Sequence, residues 1–225
     1  MGVTIGGMGG AMQKLLALGG FCVLALPAWA ASKQVIDNPR VTVWDVTLAS
    51  GESAQPTPKD LDTVTLILEG GTIKTAKGGA SATAARDFGD AIFTPKGSDA
   101  VDTAVNGPVH EVVIGLKGGP APLSPSPPGM PNAFPRDGAV KMFENDRAIA
   151  WKFSWTSGVA VPMHHHDKDT VMVFRYDGPI RSTNPKGEVS ILPFGKNEIR
   201  FSPAGNTHTE LLAGERQSAA DLELK

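Results

Sequence analysis

Three of the five histidines in this 225-residue sequence stand in a row, in the stretch VPMHHHDKDT from Val161 to Thr170. A neutral imidazole is a common ligand for a divalent transition metal, at roughly 2.1 Å. Side chains in a strand alternate faces, so His164 and His166 point one way and His165 the other. The first two can therefore reach one ion, and His165 is expected to face outward into solvent. A further candidate, His208, closes the stretch SPAGNTH, where a Pro-x-Gly turn would bring a neighbouring strand across the same pocket. The run is too short and too far from a terminus to be a purification tag. His110, in VHEVVIGL, reads as a core or surface polar residue.

Those residues need elements to position them, and the chain supplies one set twice. The segment from Arg40 (RVTVWDVTLASG) and the segment from Arg147 (RAIAWKFSWTSG) align without a gap at an offset of 107 residues. Trp44 pairs with Trp151, Ser50-Gly51 with Ser157-Gly158, Asp62-Thr63-Val64 with Asp169-Thr170-Val171, and Gly71 with Gly178. One position later in register, FTPKG from Phe93 matches FSPAG from Phe201. Such a fixed period means two copies of one supersecondary unit. VTVWDVTL, TVTLIL, AIAWKFSW and TVMVFRY alternate or are β-branched, so both copies read as strands. Trp44, Trp151, Phe153 and Trp155 read as packing residues, with the last two also able to wall a pocket. Between the copies lies GGPAPLSPSPPGMPNAFP, whose seven prolines predict an extended, semi-rigid connector.

The motifs resemble those of the cupin superfamily over most of the chain. Gly158, five residues, then His164-x-His166, with Gly178 beyond, is similar to the family's first motif. Pro203-x-Gly205, two residues, then His208 is similar to its second. The resemblance implies an all-β fold of two double-stranded β-helix (jelly-roll) barrels in tandem, a bicupin. It divides the chain into a degenerate cupin over 35–117, a Pro-rich linker over 118–139 and a metal-binding cupin over 140–225. It also implies a divalent transition metal, Fe(II), Mn, Ni or Zn, held by His164, His166 and His208. The family's glutamate would fall at Thr170 or Val171, and neither is a carboxylate; Asp167, Asp169 and Glu210 are the candidates for a compensating oxygen. In the first copy His164, His166 and His208 map to Thr57, Lys59 and Ala100, so that barrel is expected to carry no ion. Imidazoles must be neutral to bind, so metal affinity is expected to fall below about pH 6.5.

Composition and charge narrow the partners. The formal net charge is −2, with no long basic run and no nucleic-acid motif, so nucleic acid is not expected. Met12-Gln13-Lys14, an apolar run from Leu15 to Leu26 and Ala28-Trp29-Ala30 have the form of a signal peptide spanning 1–30, cleaved after Ala30. Cleavage would remove Cys22, the sole cysteine, leave no membrane anchor and place the protein in the periplasm or outside the cell. Two functions follow as expectations: an exported metalloprotein acting on a small molecule, dioxygenation first and isomerase, decarboxylase or lyase chemistry next; or a non-catalytic metal- or ligand-binding module. The resemblance also implies a homodimer.

Overall fold

The computed structural model describes residues 1–2, 30–54, 58–118 and 124–225. The signal-like segment and Cys22 lie outside the described residues, as does Thr57. Among the described residues every regular element is a β-strand.

The first unit contains β1 (Ala31–Asp37), β2 (Val41–Leu48), β3 (Asp62–Glu69), β4 (Gly71–Lys77), β5 (Ala80–Arg86), β6 (Ala91–Thr94), β7 (Val101–Asn106) and β8 (Val109–Leu116). The second contains β9 (Val140–Glu144), β10 (Ala148–Trp155), β11 (Ala160–His165), β12 (Thr170–Phe174), β13 (Gly178–Thr183), β14 (Val189–Phe194), β15 (Ile199–Ser202), β16 (Thr207–Leu212) and β17 (Gln217–Leu224). Each unit has a five-stranded sheet, ordered β1-β2-β8-β3-β6 in one and β15-β12-β17-β10-β9 in the other. A smaller sheet backs each, β5-β4-β7 and β11-β16-β13-β14 respectively. All these strand pairs are antiparallel, which suits short strands joined by tight turns.

Period-two alternation divides each long strand between two cores. On β2, Val41 and Val43 join a central cluster, whereas Val46 and Leu48 face the interior of the first unit. On β10, Ala148 and Ala150 join the same central cluster, and Trp151, Phe153 and Trp155 fill the interior of the second. The central cluster adds Val64, Leu66 and Ile114 from one sheet and Val171, Leu222 and Leu224 from the other. The two five-stranded sheets therefore pack on each other, and both of their faces are apolar for that reason.

The 107-residue offset reappears as a pseudo-two-fold axis. Arg40 Nε bonds Asp169 Oδ2 at 3.1 Å, and its equivalent Arg147 Nη1 bonds Asp62 Oδ2 at 3.0 Å. Residue i meeting j while j's equivalent meets i's is the signature of an isologous contact. Asn38 accepts the amides of Arg40 and Val41, and Asn145 likewise those of Arg147 and Ala148.

Two differences separate the units. Strand β11, which carries the histidines, has no counterpart among the described residues of the first unit, where Ser53 makes one isolated bridge to Thr103. The proline-rich segment is also more than a spacer. From Ser124 onward it lies against the second unit: Ala133 and Phe134 are buried, and the Phe134 ring stacks on Trp151 at 5.3 Å. Its backbone covers the histidine strand. Ser124 donates its amide to Asp167, His165 donates to Pro131, and Ala133 donates to His165. A prolyl run lacks amides for a full ladder but keeps its carbonyls, so it accepts from an edge strand while remaining irregular.

Candidate metal centre

His164 and His208 are direct cross-strand partners on β11 and β16. The register slips between Val161 and His164, where Pro162 and Met163 form a bulge. Proline cannot donate to a ladder and settles at bulges, and a bulge re-aims the side chains beside it. The Pro162 carbonyl then accepts the His164 Nδ1 proton at 2.8 Å, which leaves Nε2 as a bare lone pair. His166 lies just beyond the strand end and is tied to the Pro-x-Gly turn: its amide donates to Asn206, and its carbonyl accepts from Gly205, both at 2.8 Å. Gly205 has φ +105°, a left-handed conformation that glycine alone adopts readily, so the turn needs this residue.

These elements bring His164, His166 and His208 together with a residue the motif reading placed only among several compensating candidates, Glu210. All four are buried, and one ligand atom from each lies within 4.8 Å of the others. His166 Nε2 is 3.3 Å from His208 Nε2, and His208 Nε2 is 3.3 Å from Glu210 Oε1. Donors about 2.1 Å from one ion sit roughly 3.0–3.4 Å apart in octahedral or tetrahedral geometry. His164 Nε2 is buried without any hydrogen-bond partner, which a buried imidazole nitrogen seldom tolerates, whereas His166 turns Nε2 to the cluster and leaves Nδ1 unpaired. The donor set thus fits a divalent transition metal. Glu210 was visible in principle: His208-x-Glu210 repeats the same-face spacing of His164-x-His166.

Surrounding groups hold the donors in place. Glu210 Oε2 accepts from Trp155 Nε1 at 2.9 Å and from Arg136 Nη1 at 3.1 Å, which turns Oε1 toward the histidines. Arg136 comes from the proline-rich segment, and its guanidinium lies over the Phe153 ring at 3.7 Å. Asn206 Nδ2 is 3.1 Å from His208 Nδ1; half a turn of that amide brings its oxygen there to accept the ring proton. Such outer partners fix ligand tautomer and orientation. The cluster opens on a cavity of about 240 Å³ walled by Met172, Phe174, Leu192, Phe194 and Phe201, with Arg200 and Ser182 as polar contacts.

Several expectations need correction. His165 does point away from the cluster, but it is not solvated. It is 4% exposed, its Nδ1 accepts from Thr207 Oγ1 at 2.7 Å, and its Nε2 donates to the Ser124 carbonyl at 2.8 Å. The prolyl segment covers it, a contact no local pattern reports. Asp169 and Asp167 are engaged elsewhere, with Arg40 and the Ala204 amide in one case and with Lys168 and Asn132 in the other. Trp155 both packs and positions, through its bond to Glu210. His110 bonds Asp45 on the neighbouring β2, far from any ligand role.

The pH expectation also shifts. Burial pushes the His164 imidazole down to about 4, although the Glu210 charge works against it. Burial, reinforced by His208 and His164, pushes His166 to about 3. Burial would raise the Glu210 carboxyl, but the bond from His208 and the Arg136 charge outweigh it and leave it lowered. Protons then begin to compete at His164 and His166 only near pH 4, not 6.5. A chelator-competition titration from pH 7.5 to 5 is expected to show no proton competition at His164 or His166. Three imidazoles titrating at 6.5 would lose on the order of 10⁴-fold, which would refute the buried arrangement.

No protein-family model matches the chain, and no curated protein matches it either. Solved structures do. A cupin 2 conserved barrel domain protein from Leptotrichia buccalis shares 14% identity at a TM-score of 0.54, over 90% of this chain and 92% of its own. Oxalate decarboxylase from Bacillus subtilis, studied for its Mn(II) centres, shares 9% at 0.64, over 88% and 74%. The chain has the bicupin fold. AerE from Microcystis aeruginosa is also similar, with 11% identity and a TM-score of 0.63 over 87% of this chain and 98% of its own. Of the two residues of the bicupin where the family pattern would have its glutamate, Thr170 is buried on β12 with its hydroxyl unpaired and Val171 is buried in the central cluster. Glu210 supplies a carboxylate from β16 instead.

Proposed function

We propose that the C-terminal barrel holds one divalent transition metal through His164, His166, His208 and Glu210, and acts on a small polar molecule admitted to the adjoining cavity. The observation that carries this is the four buried donors converging within 4.8 Å, with Glu210 already oriented by Trp155 and Arg136. When bound, such an ion supplies Lewis-acid polarisation, and iron or manganese adds redox chemistry with dioxygen. The chain's own part is to exclude water with Phe174, Leu192 and Phe194 and to set beside a polar substrate group the Arg200 guanidinium, which is held by Glu198 and the Pro193 carbonyl and stacked 4.2 Å over Phe194. At about 240 Å³ the cavity suits a ligand smaller than a drug-sized molecule. The likeness to a Mn(II) decarboxylase supports manganese beside Fe(II), Ni and Zn. Dioxygenation is the first activity to test and decarboxylation the second. Export by cleavage after Ala30 is part of the same reading, and N-terminal sequencing of secreted protein checks it.

The test is elemental analysis of the exported protein, followed by oxygen uptake and carbon dioxide release with small carboxylic acids and phenols after loading each metal. One metal per chain and turnover of at least one compound are expected. Metal without turnover across the panel assigns the protein to the rival class, a non-catalytic binding module. No metal under any loading condition ends both readings.

A further inference from the structure

The first unit lacks histidines at the equivalent positions, yet its interior is not filled. It holds a half-open cavity of about 550 Å³, larger than the one beside the metal cluster. Trp44, Val46, Ile92 and Val113 form apolar walls, and Thr65, Thr75 and Thr94 bring hydroxyls. Two carboxyl groups, Asp102 and Glu111, face the same space. The register explains one of them. Asp102 pairs with Thr75 on β4 as Glu210 pairs with Ser182 on β13, so Asp102 stands where the second unit has its carboxylate donor. Ala100 falls opposite His208, and no nitrogen ligand accompanies Asp102.

Glu111 is the more unusual group. It is 1% exposed, and its Oε1 has no hydrogen-bond partner. A buried carboxyl oxygen left unpaired costs on the order of 1–3 kcal/mol, so a retained one calls for a donor. Burial, followed by the Asp102 charge, pushes Glu111 up to about 8, and burial likewise raises Asp102, against the Thr75 hydrogen bond and the Arg86 charge. The Arg86 charge lowers Asp102, whereas no cation offsets the rise of Glu111. Anions are disfavoured by the two acids. A hard metal ion would find two carboxyls and no imidazole. An ammonium group satisfies both acids, and an indole face favours a cation.

We propose that the N-terminal barrel binds a small organic ammonium ion, its N–H groups taken by Glu111 and Asp102 and its carbon skeleton lying against Trp44, Val46, Ile92 and Val113. The bicupin is then a two-site protein, with an organic cation in one barrel and the metal reading applied only to the other.

The experiment is calorimetric titration of the full chain at pH 8.5 with n-butylammonium and phenethylammonium, each beside its neutral partner, 1-butanol and 2-phenylethanol. One ammonium is expected to bind per chain, with the alcohols at least 10-fold weaker. Glu111→Gln keeps the side-chain shape and is expected to weaken the ammonium at least 10-fold while leaving metal content unchanged. Alcohols binding as well as the ammonium ions overturn the proposal, as does undiminished binding by folded Glu111→Gln, and so does silence from all four probes. The comparison of charged and neutral probes is made on the unaltered protein and decides the matter even where the variant fails to fold.

Discussion

His166→Ala is expected to lose stoichiometric metal binding, with affinity falling more than about 100-fold, while the chain stays folded. Outer partners of a metal ligand alone cost 10- to 100-fold when removed, so a donor at the centre of the cluster must cost more. The fold is expected to survive because the side chain borders an existing cavity and belongs to neither apolar cluster of the second unit. The informative companion is Glu210→Gln. It keeps the volume and removes the charge; the amide oxygen stays with the donors of Trp155 and Arg136, so the NH2, which has no lone pair for an ion, is turned toward the histidines. A loss of 10-fold or more is expected by competition with a chromogenic chelator, with far-ultraviolet dichroism as the folding control. Wild-type affinity in Glu210→Gln would restore a three-histidine site. Wild-type affinity in His166→Ala would remove the metal centre altogether.

Leu222→Ala is expected to destabilise both units together, by about 2–5 kcal/mol. Leu222 sits on β17, the middle strand of its sheet, and is fully buried in the cluster shared with Val64, Leu66 and Ile114 of the other sheet. Ile114 is its equivalent on β8, also the middle strand. A cavity at this level loosens two sheets at once, and the paired contacts Arg40–Asp169 and Arg147–Asp62 tie the same sheets at their rim. Denaturant unfolding is expected to remain one transition with a lowered midpoint and an unchanged slope. Hydrogen exchange should accelerate in β2, β3 and β8 as well as in β10 and β17. Two separate transitions, with only the second unit affected, would show that the units fold independently.

The sequence by itself determined the repeat, the strand identities and the parity of the histidines. Each is a local property: alternation along VTVWDVTL or AIAWKFSW fixes which side chains share a face, and a constant offset fixes which residues correspond. His164 and His166 were therefore legible as a same-face pair, and Glu210 was legible from its spacing to His208, although nothing in the spacing ranked it above Asp167 or Asp169. The tertiary structure alone decided that ranking, because Asp169 is taken by Arg40 from the other unit and Asp167 by Lys168 and Asn132. It decided that His165 is buried, since the Ser124 carbonyl reaches it from 41 residues away. It decided that His164 and His166 titrate low, because burial sets their proton affinity. It also decided that the barrel without the histidine cluster keeps an open interior. Whether a strand closes over a space depends on contacts between residues far apart in the chain, and no periodicity records them.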